Sequence, residues 1–313
     1  MASLSAAKPR WHFTRRTRRA LNFYAFISPW LIGFILLTLA PVAVGVWLSF
    51  TNYDGLNVNN IKWVGTAWYE RFPRDRQAVE SLKLVFIWTA LNTPTWLVLS
   101  FALAFIMSKV TRFRGFFRTM WYLPSVIPVV AVAWTWRTLL NDNYGLINQV
   151  VNTIRSGTVI HFLTEEALIS LTMISVWMGL GNGIVIFLAG LQDISPELED
   201  AAAIDGAGRL SSLRYIIIPM MTPIIFFQLV QSIVFAMQMF ALPLLLSPSG
   251  GAGLSTAPQK DVFLYMIYAF QQIFQRQRFG YGVALIWILF AIIIVITIVL
   301  FWSRRYWVWT EKK

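Results

Sequence analysis

The residues best suited to chemistry lie in a short polar segment, 195–219, between two long apolar runs. Glu197, Glu199 and Asp200 stand near its start, and three neighbouring carboxylates could serve a membrane-embedded enzyme as acids or bases. The local pattern favours a helix start instead, because Ser195 suits an N-cap and carboxylates stabilise the positive end of a helix dipole. We interpret the segment as a docking helix and expect no catalytic residue in it.

The same segment predicts where that helix ends. Alanines at 201–203 and Ile204 continue the helix with little side-chain bulk, and Asp205-Gly206 then breaks it. Glycine accepts the left-handed backbone conformation that commonly follows the last helical turn. A compact helix with small side chains fits into the groove of a partner protein better than it performs catalysis.

Neutral polar residues form a second group of candidates, inside the apolar runs that flank this segment. In the run before it, Ser175, Gly179 and Asn182 recur at helical spacing and share one face. The run after it carries a matching stripe, which consists of Gln228, Gln231, Ser232, Phe235, Gln238 and Met239. Such residues commonly form hydrogen bonds between membrane helices. Two facing stripes could also offer hydrogen bonds and a stacking surface to an uncharged polyol, and both interpretations stay open.

Several kinds of chemistry are excluded by what the sequence lacks. There is no Cys, which rules out thiol catalysis, disulfides and Cys-based metal sites. The two histidines, His12 and His161, are predicted on opposite sides of a membrane and cannot share a metal ion. No Gly-Lys pair exists, so the chain has no P-loop for a nucleotide. The apolar runs hold almost no ionisable residue, which disfavours a carrier driven by an ion gradient. We expect neither a metal nor a cofactor in this chain.

Apolar residues dominate the chain and define its fold class. They make up 57% of the 313 residues, against 13% charged residues. Runs of about 20 apolar residues can cross a bilayer as helices, because a helix satisfies its own backbone hydrogen bonds in lipid. The sequence therefore predicts an all-α, polytopic membrane protein. Six runs are long enough, and they cover 23–50, 84–107, 119–139, 167–191, 221–246 and 281–302.

The positive charges indicate how these helices are oriented. The net charge is +12, and most Lys and Arg residues fall in 1–22, 108–118, 192–220 and 303–313. Because cytoplasmic loops carry an excess of Lys and Arg, these four segments are predicted to be cytoplasmic. The basic clusters adjoin apolar runs and suit membrane lipid rather than nucleic acid. The predicted organisation is a basic arm, 1–22, a membrane domain, 23–302, with a cytoplasmic loop, 192–220, and a tail, 303–313.

Three outer loops are predicted between these helices. Loop 51–82 mixes turn residues with aromatics, which indicates a structured cap. Loop 140–166 is predicted to contain a short interfacial helix. Loop 247–280 starts with a Gly-rich hinge, and its amphipathic part, 261–274, is predicted to lie on the outer surface.

The polar segment has the residue spacing of a known signature, which is Glu-Ala-Ala, three residues, Gly, nine residues, then Ile-x-Leu-Pro. It is matched here at Asp200, Ala201, Ala202, Gly206, Ile216 and Pro219. An Asp replaces the Glu at 200, and Ile218 replaces the Leu. The segment resembles the signature loop of permeases in binding-protein-dependent ATP-binding cassette (ABC) importers. Stretches 113–148 and 176–198 are similar to the sugar-type subgroup, which includes maltose- and glycerol-phosphate-like permeases. The start of the chain is similar to the first-encoded of two permease partners.

This resemblance implies a type I ABC importer permease fold with six transmembrane helices and both termini in the cytoplasm of a bacterial or archaeal cell. It implies as partners a second homologous permease subunit, an ABC ATPase dimer that binds ATP and Mg, an extracytoplasmic solute-binding protein, and membrane lipid. The expected cargo is a sugar, and a glycerol phosphodiester or another phosphorylated polyol is the alternative. A secondary carrier, and a lipid-modifying enzyme that uses Glu197, Glu199 and Asp200, are less favoured alternatives.

The resemblance and the polar stripes together imply roles for individual residues. The predicted ATPase-coupling residues are Glu199, Asp200, Ala201, Ala202, Asp205, Gly206, Ala207 and Pro219, with either Glu199 or Asp200 supplying the carboxylate that meets the ATPase. The predicted substrate path is lined by Ser175, Gly179, Asn182, Gln231, Ser232, Phe235, Gln238 and Met239. The sugar contacts of the family carry over best to Gly179, Ser232 and Phe235.

Overall fold

The computed structural model describes residues 15–109, 114–155, 157–247 and 260–309. Within these residues the chain is helical, with one isolated β-bridge, between Thr51 and Trp63, and no strand. The all-α prediction is therefore confirmed for the described part of the chain.

The helices are, in chain order, α1 (Arg15–Phe34), α2 (Ala40–Leu48), α3 (Ala67–Arg71), α4 (Arg76–Lys109), α5 (Arg114–Val126), α6 (Val129–Leu139), α7 (Leu146–Ile154), α8 (Ala167–Gln192), α9 (Pro196–Ile204), α10 (Arg209–Ser212), α11 (Ile218–Met237), α12 (Ala241–Leu246), α13 (Tyr265–Phe274) and α14 (Phe279–Trp307). Two π-helical turns, Ile35–Leu39 and Leu213–Ile217, join α1 to α2 and α10 to α11 without a break.

In the described part of the chain, five helical segments are long and apolar enough to cross a membrane. They are Arg15–Leu48, Arg76–Lys109, Ala167–Gln192, Arg209–Met237 and Phe279–Trp307. Each contains most of one predicted apolar run, so the first, second, fourth, fifth and sixth predicted spans each correspond to one helical segment.

The third predicted span, 119–139, is broken. Its two halves, α5 and α6, meet at an angle of 96° across Ile127 and Pro128. Pro128 occupies the N-cap of α6, where its missing N–H leaves no helical hydrogen bond unmade. The described chain therefore has six membrane helices if the bent pair counts as one span.

Other boundaries also differ from the sequence-based expectation. Helix α1 begins at Arg15, inside the predicted basic arm, because the Arg and Ala residues there are good helix formers. Helix α11 ends at Met237, and the chain turns at Gln238 before the short helix α12, so the run 221–246 is not one helix. The predicted Gly-rich hinge falls almost entirely on 248–259, outside the described residues.

The larger buried core surrounds the N-terminal halves of α4, α8 and α14. Helix α13 packs into it against α4 and α14, and Tyr265, Ile267 and Tyr268 are almost completely buried. The expectation that 261–274 lies on the outer surface is therefore wrong. Its apolar face meets other helices, and an amphipathic pattern alone does not distinguish that contact from a membrane surface.

A second core joins the C-terminal halves of α4 and α8 to the start of α11. Ala104, Phe187 and Met221 are buried at its centre. Helices α4 and α8 pack along much of their length, and α11 packs against both. These three helices form the frame that positions the polar residues between the two cores.

The loops 51–82 and 140–166, which were predicted to be outer loops, are ordered by specific hydrogen bonds. In loop 51–82, which was predicted to be structured, Trp68 donates Nε1–H to the carbonyl of Thr51 at 2.7 Å. The next loop contains α7, which was predicted as a short helix. The Asn148 side chain on α7 makes two hydrogen bonds of 3.0 Å with the backbone of Ile160.

Candidate functional site

A cavity of about 570 Å³ opens between α4, α8 and α11, which is large enough for a small-molecule ligand. It is lined by Trp88, Asn92 and Trp96 of α4, Ser125 and Val129 at the α5–α6 bend, Ser175, Met178, Gly179, Asn182 and Ile186 of α8, Phe227, Gln228, Gln231, Ser232, Phe235 and Ala236 of α11, and Met239, Ala241 and Leu242 beyond it. The two polar stripes found in the sequence therefore face one shared space.

Seven of the eight residues predicted for a substrate path line this cavity. The eighth, Gln238, is exposed at the C-cap of α11 and is not part of the lining. The prediction assumed continued helical spacing, but α11 ends at Met237, so the spacing no longer holds at the next position. The following residue, Met239, does line the cavity.

Helix α4 contributes a third side of the cavity, although none of its residues was predicted to line the substrate path. Trp88, Asn92 and Trp96 line the cavity from this helix. The signal was the amide of Asn92, two residues before Pro94, in a largely apolar run. Tryptophans in membrane helices are usually interpreted as interfacial anchors, so the sequence did not indicate that the two indoles line a cavity.

The described lining of the cavity is electrically neutral. It consists of hydroxyl, amide, indole, phenyl, thioether and aliphatic groups, and none of these described residues is ionisable. Hydroxyl and amide groups can donate and accept hydrogen bonds. Because nothing in the lining would compensate a net charge, the cavity suits an uncharged, hydroxyl-rich molecule better than an ion.

Gly179 sets the distance between α8 and α4. A Cβ atom at this position would lie 2.7 Å from Nε1 of Trp96. The glycine therefore lets the indole lie against α8, and a larger residue there would displace the indole.

The predicted docking helix forms as α9, and it ends where the sequence predicts. Gly206 has a φ of +82°, in the left-handed region. The N–H of Ala207 donates to the carbonyl of Ala202 at 2.8 Å, and the N–H of Gly206 donates to that of Ala203 at 3.1 Å. This pair of bonds is a Schellman motif, which satisfies the last carbonyls of a helix. Ser195 has the backbone conformation of an N-cap, although its hydroxyl makes no capping bond.

Helix α9 presents its surface to the outside of the molecule. None of its residues is buried. Ile204 and Leu210, on either side of the glycine turn, are 87% and 78% exposed. An exposed apolar patch beside a short helix is typical of a surface that a partner covers.

The two candidate carboxylates of α9 differ in their contacts. Glu199 forms an ion pair with Lys109 at the end of α4, with 2.5 Å between Nζ and Oε2. Asp200, the next residue, is exposed. Pro219 lies apart from α9, in the first turn of α11. Adjacent carboxylates of α9 therefore have different environments: Glu199 pairs with a long helix of the same chain, and Asp200 is exposed.

Residues 96–308 match the family described as binding-protein-dependent transport system inner membrane component, which is more than half of the chain. The chain belongs to this family. It is 35% identical to the probable ABC transporter permease protein YesP of Bacillus subtilis, over 93% of this chain and 92% of that protein. It is 26% identical to the arabinooligosaccharides transport system permease protein AraP of Halalkalibacterium halodurans, over 91% and 90% of the two chains.

A solved structure of another protein contains a chain with the same fold. The chain superposes with a TM-score of 0.78 on a chain from a bacterial ABC transporter involved in the import of the acidic polysaccharide alginate. The match covers 93% of this chain and 98% of that chain, at 21% sequence identity. The ABC permease fold expected from the signature segment is confirmed.

Family membership makes the chain a transport component of the inner membrane and places it outside the enzyme families. The resemblance to a binding-protein-dependent permease is thereby confirmed. The family depends on a binding protein, so it gives no support to a secondary carrier or to a lipid-modifying enzyme. In the parts of the chain that the structure describes, no three His, Asp or Glu residues are grouped to hold a metal ion.

Proposed function

We propose that the chain is one permease subunit of an ATP-driven ABC importer for a neutral sugar. The observation that carries this proposal is the neutral cavity between α4, α8 and α11, whose walls hold the two polar stripes. Relatives support a sugar, because their names include transport of arabino-oligosaccharides and of trehalose and maltose. The cargo is a mono-, di- or oligosaccharide.

In this proposal the cavity supplies half of a translocation path. A second, homologous permease supplies the other half, and an extracytoplasmic solute-binding protein delivers the sugar to the outer loops. A dimer of ABC ATPase subunits binds ATP and Mg on the cytoplasmic side. A solved alginate transporter with a similar permease chain is in complex with its periplasmic protein, which supports this assembly.

Helix α9 couples the path to the ATPase in this proposal. Its exposed residues, among them Asp200, Ala201 and Ile204, dock into a groove of an ATPase subunit. A near-complete switch between two arrangements of the path requires the ATP-bound state to favour one of them by about 5.5 kcal/mol. The Schellman turn at Gly206 fixes the angle between α9 and α10. A rigid docked helix can therefore transmit this bias.

The proposal places α9 in the cytoplasm of a bacterial or archaeal cell. Arg15, Arg16 and Arg19 open α1, and Arg304 and Arg305 lie in the last turns of α14. Positive residues beside apolar helices favour the cytoplasmic side. Both ends of the membrane domain, and the segment after α8, then share that side.

A phosphorylated polyol is less well supported as the cargo. Relatives named as sn-glycerol-3-phosphate transport permeases also match this chain. A phosphate ester needs positive groups to compensate its charge, and none of the described lining residues is a cation. Arg137, which could serve an outer phosphate site, packs over the ring of Trp134 at 5.4 Å and is not part of the lining.

Uptake by the reconstituted complex tests the proposal. The two permeases, the ATPase dimer and the binding protein are assembled in proteoliposomes and offered maltose, trehalose, arabinotriose or glycerol 3-phosphate. We expect ATP-dependent uptake of at least one neutral sugar. Uptake of glycerol 3-phosphate alone would favour the alternative cargo, and uptake by the purified chain without an ATPase would contradict the proposal.

Gly206→Val tests the docking role of α9. A β-branched residue in the left-handed conformation costs about 1–2 kcal/mol, so the substitution should displace the turn after α9. We expect sugar uptake to fall several-fold while ATP hydrolysis by the complex continues. Gly208→Val is the matched control, because Gly208 has an ordinary φ of −71° and neither glycine would bring a Cβ within 4 Å of another atom. Full uptake by Gly206→Val would count against the docking role.

A further inference from the structure

Helix α4 carries three aligned residues on the side that faces the cavity. Trp88, Asn92 and Trp96 follow one another at four-residue spacing, so they lie on one face of the helix. All three line the cavity. Unlike α8 and α11, helix α4 does not adjoin the polar segment 195–219 in sequence, so the signature pattern does not point to this face.

Two polar groups on this face have no hydrogen-bond partner within the described part of the chain. Trp88 is fully buried and Asn92 is 8% exposed, and neither Nε1 of Trp88 nor Oδ1 of Asn92 makes a hydrogen bond. Buried polar groups are nearly always paired, because an unpaired one loses its water without compensation. One of these groups is an N–H donor, and the other is a carbonyl acceptor.

The residues that follow Trp88 and Asn92 in α4 are also buried and polar, but they lie outside the cavity. Thr89 and Thr93 also have buried hydroxyls without a partner among the described residues. Neither threonine is part of the cavity lining. A threonine hydroxyl can rotate to the carbonyl one turn back in its own helix. The indole N–H of Trp88 cannot reach its own backbone in this way, so its partner must come from elsewhere.

We propose that α4 is a specificity-determining wall of the site, where the amide of Asn92 and the indole N–H of Trp88 bind neighbouring hydroxyls of a neutral sugar. This inference rests on the proposed function, since it assumes that the cavity holds the cargo. A hydroxyl both donates and accepts a hydrogen bond, so one sugar ring satisfies both groups. Trp96, packed against Gly179, lies one turn further along the same face.

Asn92→Leu and Trp88→Phe test this wall, because each removes a hydrogen-bonding group and keeps most of the side-chain volume. Thr93→Val is the matched control, since it removes a buried hydroxyl that lies outside the lining. Uptake by the complete complex is measured for whichever of maltose, trehalose or arabinotriose the wild type transports, and for its monodeoxy derivatives. The binding protein is the same in every sample, so its own preference cancels from the comparison.

We expect the wild type to discriminate against at least one deoxy derivative about five- to tenfold more strongly than Asn92→Leu or Trp88→Phe does. Thr93→Val should discriminate as the wild type does. A purely structural role for Asn92 would lower uptake of the sugar and of its deoxy derivatives by the same factor, and the ratio between them would not change.

Thiol protection gives a second readout, because it reports directly whether the sugar covers position 92 and does not depend on a comparison with deoxy derivatives. The chain has no Cys, so Asn92→Cys introduces its only thiol. We expect the transported sugar, delivered by the binding protein, to protect the thiol at 92 from N-ethylmaleimide, and a sugar that the complex does not transport to leave the reaction unchanged.

The outcomes distinguish two failures. If the wild-type complex transports none of the neutral sugars, the proposed function itself fails. If it transports a sugar, but Asn92→Leu and Trp88→Phe keep wild-type discrimination and the thiol at 92 is unprotected, the role of α4 is overturned. If a substituted complex does not assemble, protection of the thiol decides.

Discussion

Asp75, immediately before α4, joins three helices through one carboxylate. Its Oδ2 accepts hydrogen bonds from the hydroxyls of Tyr268 on α13 and Tyr281 on α14, at 2.6 and 2.7 Å. Burial by itself would raise the pKa of Asp75, but the two tyrosine hydroxyls, the N–H of Ala78 and the charge of Arg71 together hold that pKa below its ordinary value. The carboxylate is therefore charged in the folded protein at neutral pH.

Asp75→Asn should destabilise the protein, because a neutral amide is a weaker acceptor for the two hydroxyls. Removal of a hydrogen bond to a charged group typically costs about 1–3 kcal/mol. Thermal unfolding of the detergent-solubilised complex at pH 7 measures the loss. Asp193→Asn, at an exposed helix C-cap, is the control and should unfold at the wild-type temperature. Equal midpoints for both substitutions would show that the carboxylate of Asp75 does not hold the helices together.

The pH dependence of this effect has a defined sign. Because the pKa of Asp75 is lower in the folded than in the unfolded protein, its contribution is fully present above the ordinary value of 3.8. The contribution is lost as the pH falls through the folded-state pKa. The gap in stability between wild type and Asp75→Asn should therefore be largest near neutral pH and should close in strong acid.

Gly206 and Asp75 show which residue roles a sequence can reveal. The left-handed turn at Gly206 depends on the residues directly before it, so local spacing predicted it correctly. The partners of Asp75, Tyr268 and Tyr281, lie about two hundred residues away in the chain. No periodicity connects such distant positions, and the pairing follows only from how α4, α13 and α14 pack.

The ion pair between Lys109 and Glu199 ties the short helix α9 to the end of α4. Both side chains are partly exposed, at 51% and 38%, so the pair adds little to overall stability. Its effect is on position, since α9 has no buried residue of its own. Helix α4 is 34 residues long, about 51 Å, and it also lines the cavity.

Reversal of one charge in this pair should loosen the coupling between ATP hydrolysis and transport. We expect Glu199→Lys to raise the number of ATP molecules hydrolysed per sugar taken up, because two positive charges then repel α9 from α4. The double substitution Lys109→Glu with Glu199→Lys should restore the wild-type ratio, measured in proteoliposomes with the complete complex.

Glu197→Lys is the control for this experiment, because Glu197 lies in the same helical turn and is exposed. It should change the ratio less than Glu199→Lys does. If the double substitution behaves no better than Glu199→Lys alone, then the ion pair has no part in coupling and Glu199 acts through another contact.

Hydropathy predicted single long helices and failed at bends. Helices α8 and α14 follow from uninterrupted apolar runs that have one stable solution in lipid. The third run, 119–139, has the required length, but hydropathy measures only how apolar a run is. It does not report the direction of the helix axis, so the 96° bend was not predicted. The stretch that forms α13 is amphipathic, and that pattern is the same whether lipid headgroups or other helices cover it.

The first membrane helix is almost uncovered in the single chain. Its most apolar window, within Arg15–Leu48, has no buried residue, whereas half of the corresponding window of Ala167–Gln192 is buried. Phe26 is 93% exposed. The apolar surface of this helix is therefore available to lipid or, in the proposed complex, to the second permease.

Side-specific labelling tests the proposed orientation of the whole molecule. Val58→Cys lies in the first outer loop and Glu197→Cys lies on α9, and both positions are exposed. We expect a membrane-impermeant maleimide to label the first in intact cells and to label the second only after the membrane is opened. The cysteine-free wild-type chain is the background control. Labelling of Glu197→Cys in intact cells would contradict the proposed docking to a cytoplasmic ATPase.

The right-angle junction at Ile127 and Pro128 determines whether the chain crosses the membrane an even or an odd number of times. Counted as one passage, α5 and α6 bring the total in the described residues to six, and an even number returns the end of α14 to the face where α1 begins. Counted as an in-and-out hairpin, they leave five, and every later element changes compartment. Two residues at a corner thus decide whether α9 shares a compartment with Arg15, and hence whether nucleotide hydrolysed inside the cell can drive this chain.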